Sequence, residues 1–215
     1  ERGAAEALVL AGGRLFGLFN NGAYGQPGAL EDLPTEALKA QFNTNLFGWH
    51  HLIRQVLPAM LAAGEGRIVQ NSSVLGLVAM KYRGAYNASK FALEGYTDTL
   101  RLELEGSGVH ISLIEPGPID TRFRANARDA FVRHIDPAQS RHQGAYRQTL
   151  TRLEKEGSTS GFTLPSEACI PPLLHALQSK RPKHRYPVTL PTRLFSILRR
   201  LLPSRWLDRT LGKSV

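Results

Sequence analysis

Apolar positions along the chain fall into two alternating rhythms. Short apolar runs occur at Leu15-Phe16-Gly17-Leu18-Phe19, at Arg67-Ile68-Val69-Gln70-Asn71-Ser72 and at Val109-His110-Ile111-Ser112-Leu113-Ile114, and they read as buried strands. Each gives way to a polar or Gly/Pro-rich corner: Asn20-Asn21-Gly22, Ser72-Ser73 and Glu115-Pro116-Gly117-Pro118. Between the runs, apolar residues recur three and four apart. One such stretch begins at Leu33-Pro34-Thr35-Glu36 and carries Phe42, Leu46, Trp49, Ile53, Val56 and Leu57 before Gly64-Glu65-Gly66 stops it. The other runs from Ala85 to Glu105 and is capped by Gly106-Ser107-Gly108. No internal repeat interrupts this order.

Helices of this length between apolar strands imply parallel β-α-β crossovers and a sheet covered on both faces. The expected fold is therefore α/β, a doubly wound parallel sheet of Rossmann-like type. Such sheets bind ligands beyond the carboxyl ends of their strands, and the three corners above all fall there. The expected organisation is one domain over residues 1–190 and a basic amphipathic helix over 191–215. Residues 122–175 are polar and basic and follow the third strand directly. They form either a substrate-side insertion or lid over the rim, or a plain solvated connection.

Composition adds limits. A chain of 215 residues and 23.7 kDa fits one large domain or at most two small ones. Its single cysteine, Cys169, excludes an internal disulfide framework and a thiolate metal cluster, and is most simply a buried small apolar residue. No apolar run reaches the roughly 18 residues that span a bilayer. The residues from Glu1 to Glu6 do not resemble a secretory signal. A cytoplasmic protein without a bound metal is expected.

The net charge of +9 is unevenly spread: residues 1–121 hold 9 basic and 12 acidic groups, and residues 122–215 hold 18 and 6. Nucleic acid is not the expected partner of the basic half, because stacking aromatics and zinc-finger or homeodomain spacings are missing. An anionic membrane surface or an anionic cofactor suits the charge at least as well. Within 191–211, Leu194, Phe195, Ile197, Leu198, Leu201, Leu202, Trp206 and Leu207 interleave with Arg193, Arg199, Arg200, Arg205 and Arg209. This is an amphipathic basic helix, bent or broken at Pro203. It either meets a membrane surface peripherally or packs on the domain or on a second subunit.

Candidate chemistry centres on Tyr86 and Lys90, four apart on one helix face. A phenol ionises near pH 10, and a nearby ammonium favours the phenolate, so the pair can exchange a proton with a substrate alcohol or carbonyl. Taken alone, the spacing is common and more simply describes two solvated residues on a helix face. Ser73 stands at a strand end thirteen residues earlier, where its hydroxyl can reach the same substrate oxygen or merely close a turn. Asn45 lies in Asn43-Thr44-Asn45-Leu46, inside a helix. Two asparagines there suggest a local distortion, a polar role or a solvent-facing pair.

Ser73, Tyr86-Asn87-Ala88-Ser89-Lys90 and Pro116-Gly117 with Thr121, in this order, resemble the short-chain dehydrogenase/reductase family. Asn45 fits that family's fourth catalytic position. Lys90-Phe91-Ala92-Leu93-Glu94-Gly95 and Ser112-Leu113-Ile114-Glu115-Pro116-Gly117-Pro118-Ile119 are similar to its 17β-hydroxysteroid and retinol dehydrogenase branch. The resemblance covers about residues 8–125 well. It implies hydride transfer between NAD(P)(H), NADP slightly favoured, and a hydrophobic alcohol, aldehyde or ketone of steroid, retinoid or fatty-aldehyde type. Tyr86 is then the general acid/base, and Lys90 lowers its pKa and binds the nicotinamide ribose. Ser73 holds the substrate oxygen, and Asn45 supports a water that links Lys90 to solvent. Pro116, Gly117 and Ile119 border the nicotinamide, Thr121 helps hold its carboxamide or the phosphates, and Asn20 and Gly22 lie near the adenosine. Apolar residues around the rim, Leu75 and Phe123 among them, together with Pro118, suit an apolar substrate. A homodimer or homotetramer is implied as well.

Two features depart from the family pattern. Asn20-Asn21-Gly22-Ala23 stands where Asn-Asn-Ala-Gly is usual, which moves the glycine by one place. No strand, Gly-rich turn and helix that would cradle a pyrophosphate precedes it, since Ala11-Gly12-Gly13 lacks the third glycine and comes before a strand. About two β-α units, on the order of 60 residues, are expected to be missing. The intact catalytic set favours a fragment over a real loss. The alternative is a non-catalytic binding or scaffold relative.

Overall fold

A computed structural model describes residues 2–155 and 161–212. Four parallel strands form the central sheet: β1 (Gly17–Asn20), β2 (Gly66–Asn71), β3 (Val109–Glu115) and β6 (Arg185–Pro187), in the order β1-β2-β3-β6. The three expected strands are present within a residue or two of their sequence bounds. The fourth, β6, had no sequence signal: it is three residues long and contains a proline.

Alternation along each strand sends side chains to two cores. On one face Ile68, Val109 and Ile111 pack with Ala4 of α1 (Arg2–Leu10), with Ile53, Val56 and Met60 of α3 (Gly48–Ala63), and with Tyr96 and Leu100 of α4 (Gly84–Glu103). On the other, Val69, Ile114 and Tyr186 pack with Leu173, Ala176 and Leu177 of α7 (Ile170–Gln178). Helices cover both faces, as a doubly wound sheet requires.

The long helix read from Leu33 onward is divided. α2 (Thr35–Phe42) passes through a π turn (Asn43–Phe47) into α3, and the Gly48 N–H reaches the Asn43 carbonyl across the wider turn. Asn43 is exposed and Asn45 is buried. The paired asparagines thus mark both a local distortion and a polar role. Gly12 and Gly13 close α1: their N–H groups donate to Val9 O at 3.0 Å and Leu8 O at 2.8 Å. They belong to a helix end rather than to a phosphate cradle.

The segment after β3 carries a short strand β4 (Ile119–Asp120), α5 (Phe123–His134), α6 (Gln143–Glu154) and β5 (Leu164–Pro165), which pairs with β4. α5 and α6 bury Phe131, Ile135 and Tyr146 against Ala29 and Leu33 of the loop that follows β1. The Tyr146 hydroxyl accepts from Ala29 N–H at 3.0 Å and donates to Asp32; Ser140 also donates to Asp32. Arg141 and His142 meet Glu31 at 2.6 and 2.7 Å. The segment is therefore fastened over the loop at the carboxyl rim of the sheet. Finally α8 (Leu190–Leu201) and α9 (Ser204–Leu211) form the basic amphipathic tail, separated at Pro203.

Gly108, immediately before β3, has φ of +78°, and a Cβ there would run into the Gly64 carbonyl. Gly108→Ala should lower folding stability by about 2 kcal/mol or more. Urea denaturation measures it; an unchanged midpoint would contradict this packing.

Candidate active site

The strand ends stand level. Asn20 pairs with Gln70, and Asn71 with Ile114. Ser72 N–H donates to Ile114 O at 2.7 Å, and Val74 N–H to Pro116 O at 2.8 Å. These bonds bring the Ser72-Ser73 and Pro116-Gly117 corners side by side. Ser73 N-caps a short 3₁₀ turn (Val74–Gly76), its Oγ accepting from Leu75 N–H at 3.1 Å.

α4 crosses beside this rim. Its buried face carries Tyr86, Lys90, Leu93, Glu94 and Thr97, so the chemical residues sit on the helix stripe that elsewhere packs the core. The Ser73 hydroxyl lies near enough to the Tyr86 phenol to favour its ionised form. Lys90 is 1% exposed. Its Nζ donates to the Asn71 carbonyl at 2.6 Å and lies 4.7 Å from the Trp49 ring centroid. Trp49 is fixed in turn by its Nε1, which donates to Gly22 O at 3.0 Å.

Burial governs the electrostatics. It pushes the Tyr86 phenol up to about 12, partly opposed by the Ser73 hydroxyl. It pushes the Lys90 ammonium down to about 7, with Glu94 acting in the opposite sense. The expected lowering of Tyr86 by Lys90 is therefore not what the protein alone produces. The physical reason is burial of the phenol, while the Lys90 ammonium is directed to Asn71 O and Trp49, 5.7 Å from the Tyr86 ring centroid. At neutral pH the phenol holds its proton.

Asn45 sits beside the pair. Its amide clamps Tyr24, accepting from the N–H at 3.3 Å and donating to the carbonyl at 3.0 Å, and also donates to Ser89 Oγ at 3.2 Å. Phe123, half-buried, lies edge-on to Tyr86 with ring centroids 5.3 Å apart. Leu75, in the middle of the 3₁₀ turn, is buried at 5% exposure. Pro116, Gly117, Pro118 and Ile119 are half-buried at the rim. Gly117 abuts Thr189 and Thr192 at the start of α8, where a Cβ would run into Thr189 Oγ1. Pro118 O accepts from Leu164 N–H at 3.1 Å. Thr121 is exposed and its Oγ1 accepts from Phe123 N–H at 3.2 Å. Asn20 is turned inward, donating to Gln70 Oε1 at 3.0 Å. Gly22 is exposed and has no positive φ, so its moved position makes no special conformational demand.

Sequence reasoning missed the group behind Lys90. Arg185 of β6 meets Glu94 and, at 2.7 and 2.6 Å, Glu115 and Asp98. Ser72 Oγ donates to Glu94. The Glu94 bond thus grips the residue between Asn71, which holds Lys90, and Ser73, which faces Tyr86. Glu94 had a signal, since it lies four residues beyond Lys90 on the same stripe. Arg185 had none, because β6 was not visible.

A family model described as short chain dehydrogenase matches residues 2–131. An uncharacterised oxidoreductase of Escherichia coli, YbbO, is 44% identical over 98% of this chain and 72% of its own length. The chain belongs to the short-chain dehydrogenase family. Human retinol dehydrogenase 8 is 41% identical over 57% of this chain and 40% of its own length. Among solved structures, a short-chain dehydrogenase/reductase from Burkholderia phymatum in complex with NAD has a TM-score of 0.72 at 29% identity, covering 98% of this chain and 72% of that one. None of these matches supports the expectation that a glycine-rich unit is missing.

The Arg185 cluster has a testable pH signature. Burial first, and then the charge of Glu94, hold the Glu115 carboxyl up to about 7 against an ordinary 4.5. A raised carboxyl contributes stability that is complete below the ordinary value and is lost as pH rises through about 7. Arg185→Met removes the facing cation and should cost about 3–5 kcal/mol. The loss should be larger at about pH 8 than at about pH 5. Urea titrations at both values check this, and an equal loss at each would refute it.

Proposed function

We propose that this oxidoreductase interconverts an apolar alcohol and its carbonyl compound with a nicotinamide cofactor, NAD or NADP. The observation that carries the reading is the buried Tyr86, with the Ser73 hydroxyl facing its phenol, one helical turn from a fully buried Lys90. Two hydroxyls that face one region of space can share one substrate oxygen.

The residues fit the cofactor. An ammonium has three donors, and Lys90 spends one on Asn71 O. A ribose diol suits the remaining two and would offset the burial that lowers Lys90. The half-buried corner of Pro116, Gly117 and Ile119 would border a flat nicotinamide ring, with the exposed Thr121 and Gly22 farther along the rim, while Asn20 is turned away toward Gln70. The bound cofactor supplies the hydride chemistry.

The chain's own groups handle the oxygen and the proton. Ser73 Oγ, already accepting from Leu75 N–H, directs its own proton to the shared oxygen and orients the carbonyl. Tyr86 is a neutral phenol and serves as the acid when a carbonyl is reduced. Lys90 positions the cofactor and stabilises charge that develops on the Tyr86 oxygen. Asn45 holds Tyr24 and the π turn in register beside Ser89; the turn frees backbone carbonyls from the regular ladder, which suits a water-linked path toward Lys90. Phe123 against Tyr86, together with Leu75 and Pro118, supports an apolar substrate such as a steroid, retinoid or fatty aldehyde, in keeping with the retinol named for the human relative.

Tyr86→Phe keeps the ring packing and removes the proton. Turnover of a hydrophobic aldehyde with NADH or NADPH should fall at least a hundredfold, by about the contribution of a general acid, with an unchanged melting temperature. Retained turnover would remove the mechanism. Lys90→Met should abolish the fluorescence enhancement of NADH or NADPH on titration into the protein; an undiminished enhancement would show that the ribose is held elsewhere.

A further inference from the structure

α8 carries an apolar stripe that the fold does not use. Leu190, Leu194, Ile197 and Leu201 recur at four, three and four residues and so share one helix face. Their exposures are 64%, 51%, 57% and 72%. The opposite face does the packing: Thr192 is fully buried, and Phe195 and Leu198 are half-buried. Arg193 and Arg200 are exposed one position before Leu194 and Leu201, alongside the stripe. Past Pro203, α9 adds Trp206 at 63% exposure between exposed Arg205 and Arg209. From Lys180 to Val215 there are ten basic residues and one acid, Asp208.

An aligned stripe of large aliphatic side chains in water marks an interaction surface. Among the described residues no helix is long and apolar enough to cross a membrane, so this face would lie on a surface rather than span one. Charge selects the occupant. A second copy across a two-fold axis would bring the same arginines against each other, with Asp208 alone to offset them. An anionic bilayer presents negative headgroups beside every arginine and hydrocarbon beneath the leucines.

We infer that the α8–α9 face docks this protein on an anionic lipid surface. α8 packs against the 3₁₀ turn that begins at Ser73, and Arg199 Nη1 reaches Gly76 O at 3.4 Å. Docking through the outer stripe therefore holds the substrate rim close to the lipid. The inference stands on surface chemistry and is read without turnover, so it fails or survives separately from the proposed oxidoreductase reaction.

The test is flotation of the full chain with two kinds of vesicle, phosphatidylcholine alone and phosphatidylcholine with about 30 mol % phosphatidylserine. Flotation is expected with the anionic vesicles at low salt, and it should weaken at about 0.5 M salt. Leu194→Glu with Ile197→Glu places carboxylates in the stripe at exposed positions and should reduce vesicle partition at least about tenfold. Arg193→Gln with Arg200→Gln keeps the stripe intact and should weaken partition and flatten its salt dependence. Circular dichroism confirms that each variant is folded. Absence of flotation with anionic vesicles at low salt would overturn the inference. So would undiminished flotation of the folded carboxylate variant. A dimer in sedimentation that the carboxylate variant dissociates, without vesicle binding, would assign the face to a second copy and overturn it as well.

Discussion

Burying the ammonium of Lys90 is the constraint on which the site depends. Removing such a charge from water costs several kcal/mol even after relaxation. The protein offsets this with one charge-assisted hydrogen bond to Asn71 O, worth about 1.5–3 kcal/mol, and with the face of Trp49, worth up to about 2 kcal/mol when desolvated. Both partners come from elsewhere in the chain. The Asn71 carbonyl is in place only because β2 ends level with its neighbours. Trp49 is in place because α3 leaves the π turn at the right rotation and because its Nε1 finds Gly22 O. Sheet register, helix distortion and the loop after β1 thus converge on one cation.

Behind that cation lies a second layer of charge. Glu94, Glu115 and Asp98 face a single guanidinium, Arg185. Burial raises the Glu94 and Glu115 carboxyls and the shared arginine opposes that rise. The cluster joins α4, β3 and β6, so the edge of the sheet and the helix of Tyr86 are tied together by one side chain. Through Ser72, Glu94 also steadies the backbone between Asn71, which holds Lys90, and Ser73. The pattern explains how a three-residue strand, too short to be visible in hydropathy, becomes important to the site.

The rim is built from two sides. α5 and α6 are fastened over the loop after β1 by Tyr146, Asp32, Ser140 and Glu31, and Phe123 leads from them onto Tyr86. On the other side α8 begins at Thr189 against Gly117 and runs past the turn after Ser73. Elements that carry no catalytic group therefore shape the approach to the two hydroxyls, and one of them turns its outer face to solvent as an apolar, arginine-bordered stripe.

Consecutive residues were enough to read the alternation of strands and helices and the three corners at the carboxyl ends; they left a distortion around Asn45 as one of three readings, and they joined Ser73, Tyr86 and Lys90 into a set only through the order shared with a known family. These features are local: period, breakers and spacing along one helix or at one strand end are written in consecutive residues. The tertiary structure alone decided the rest. That burial raises Tyr86 and lowers Lys90 depends on what surrounds them, and spacing cannot report it. That Asn45 grips Tyr24 and Ser89, that Asn20 turns inward to Gln70, and that Trp49 and Asn71 hold the ammonium all require partners 19 to 50 residues apart in the chain. Arg185 is the extreme case. Its partners lie 70 to 91 residues away, and only the closing of a parallel sheet, in which neighbours in space are distant in sequence, brings one arginine to three carboxylates.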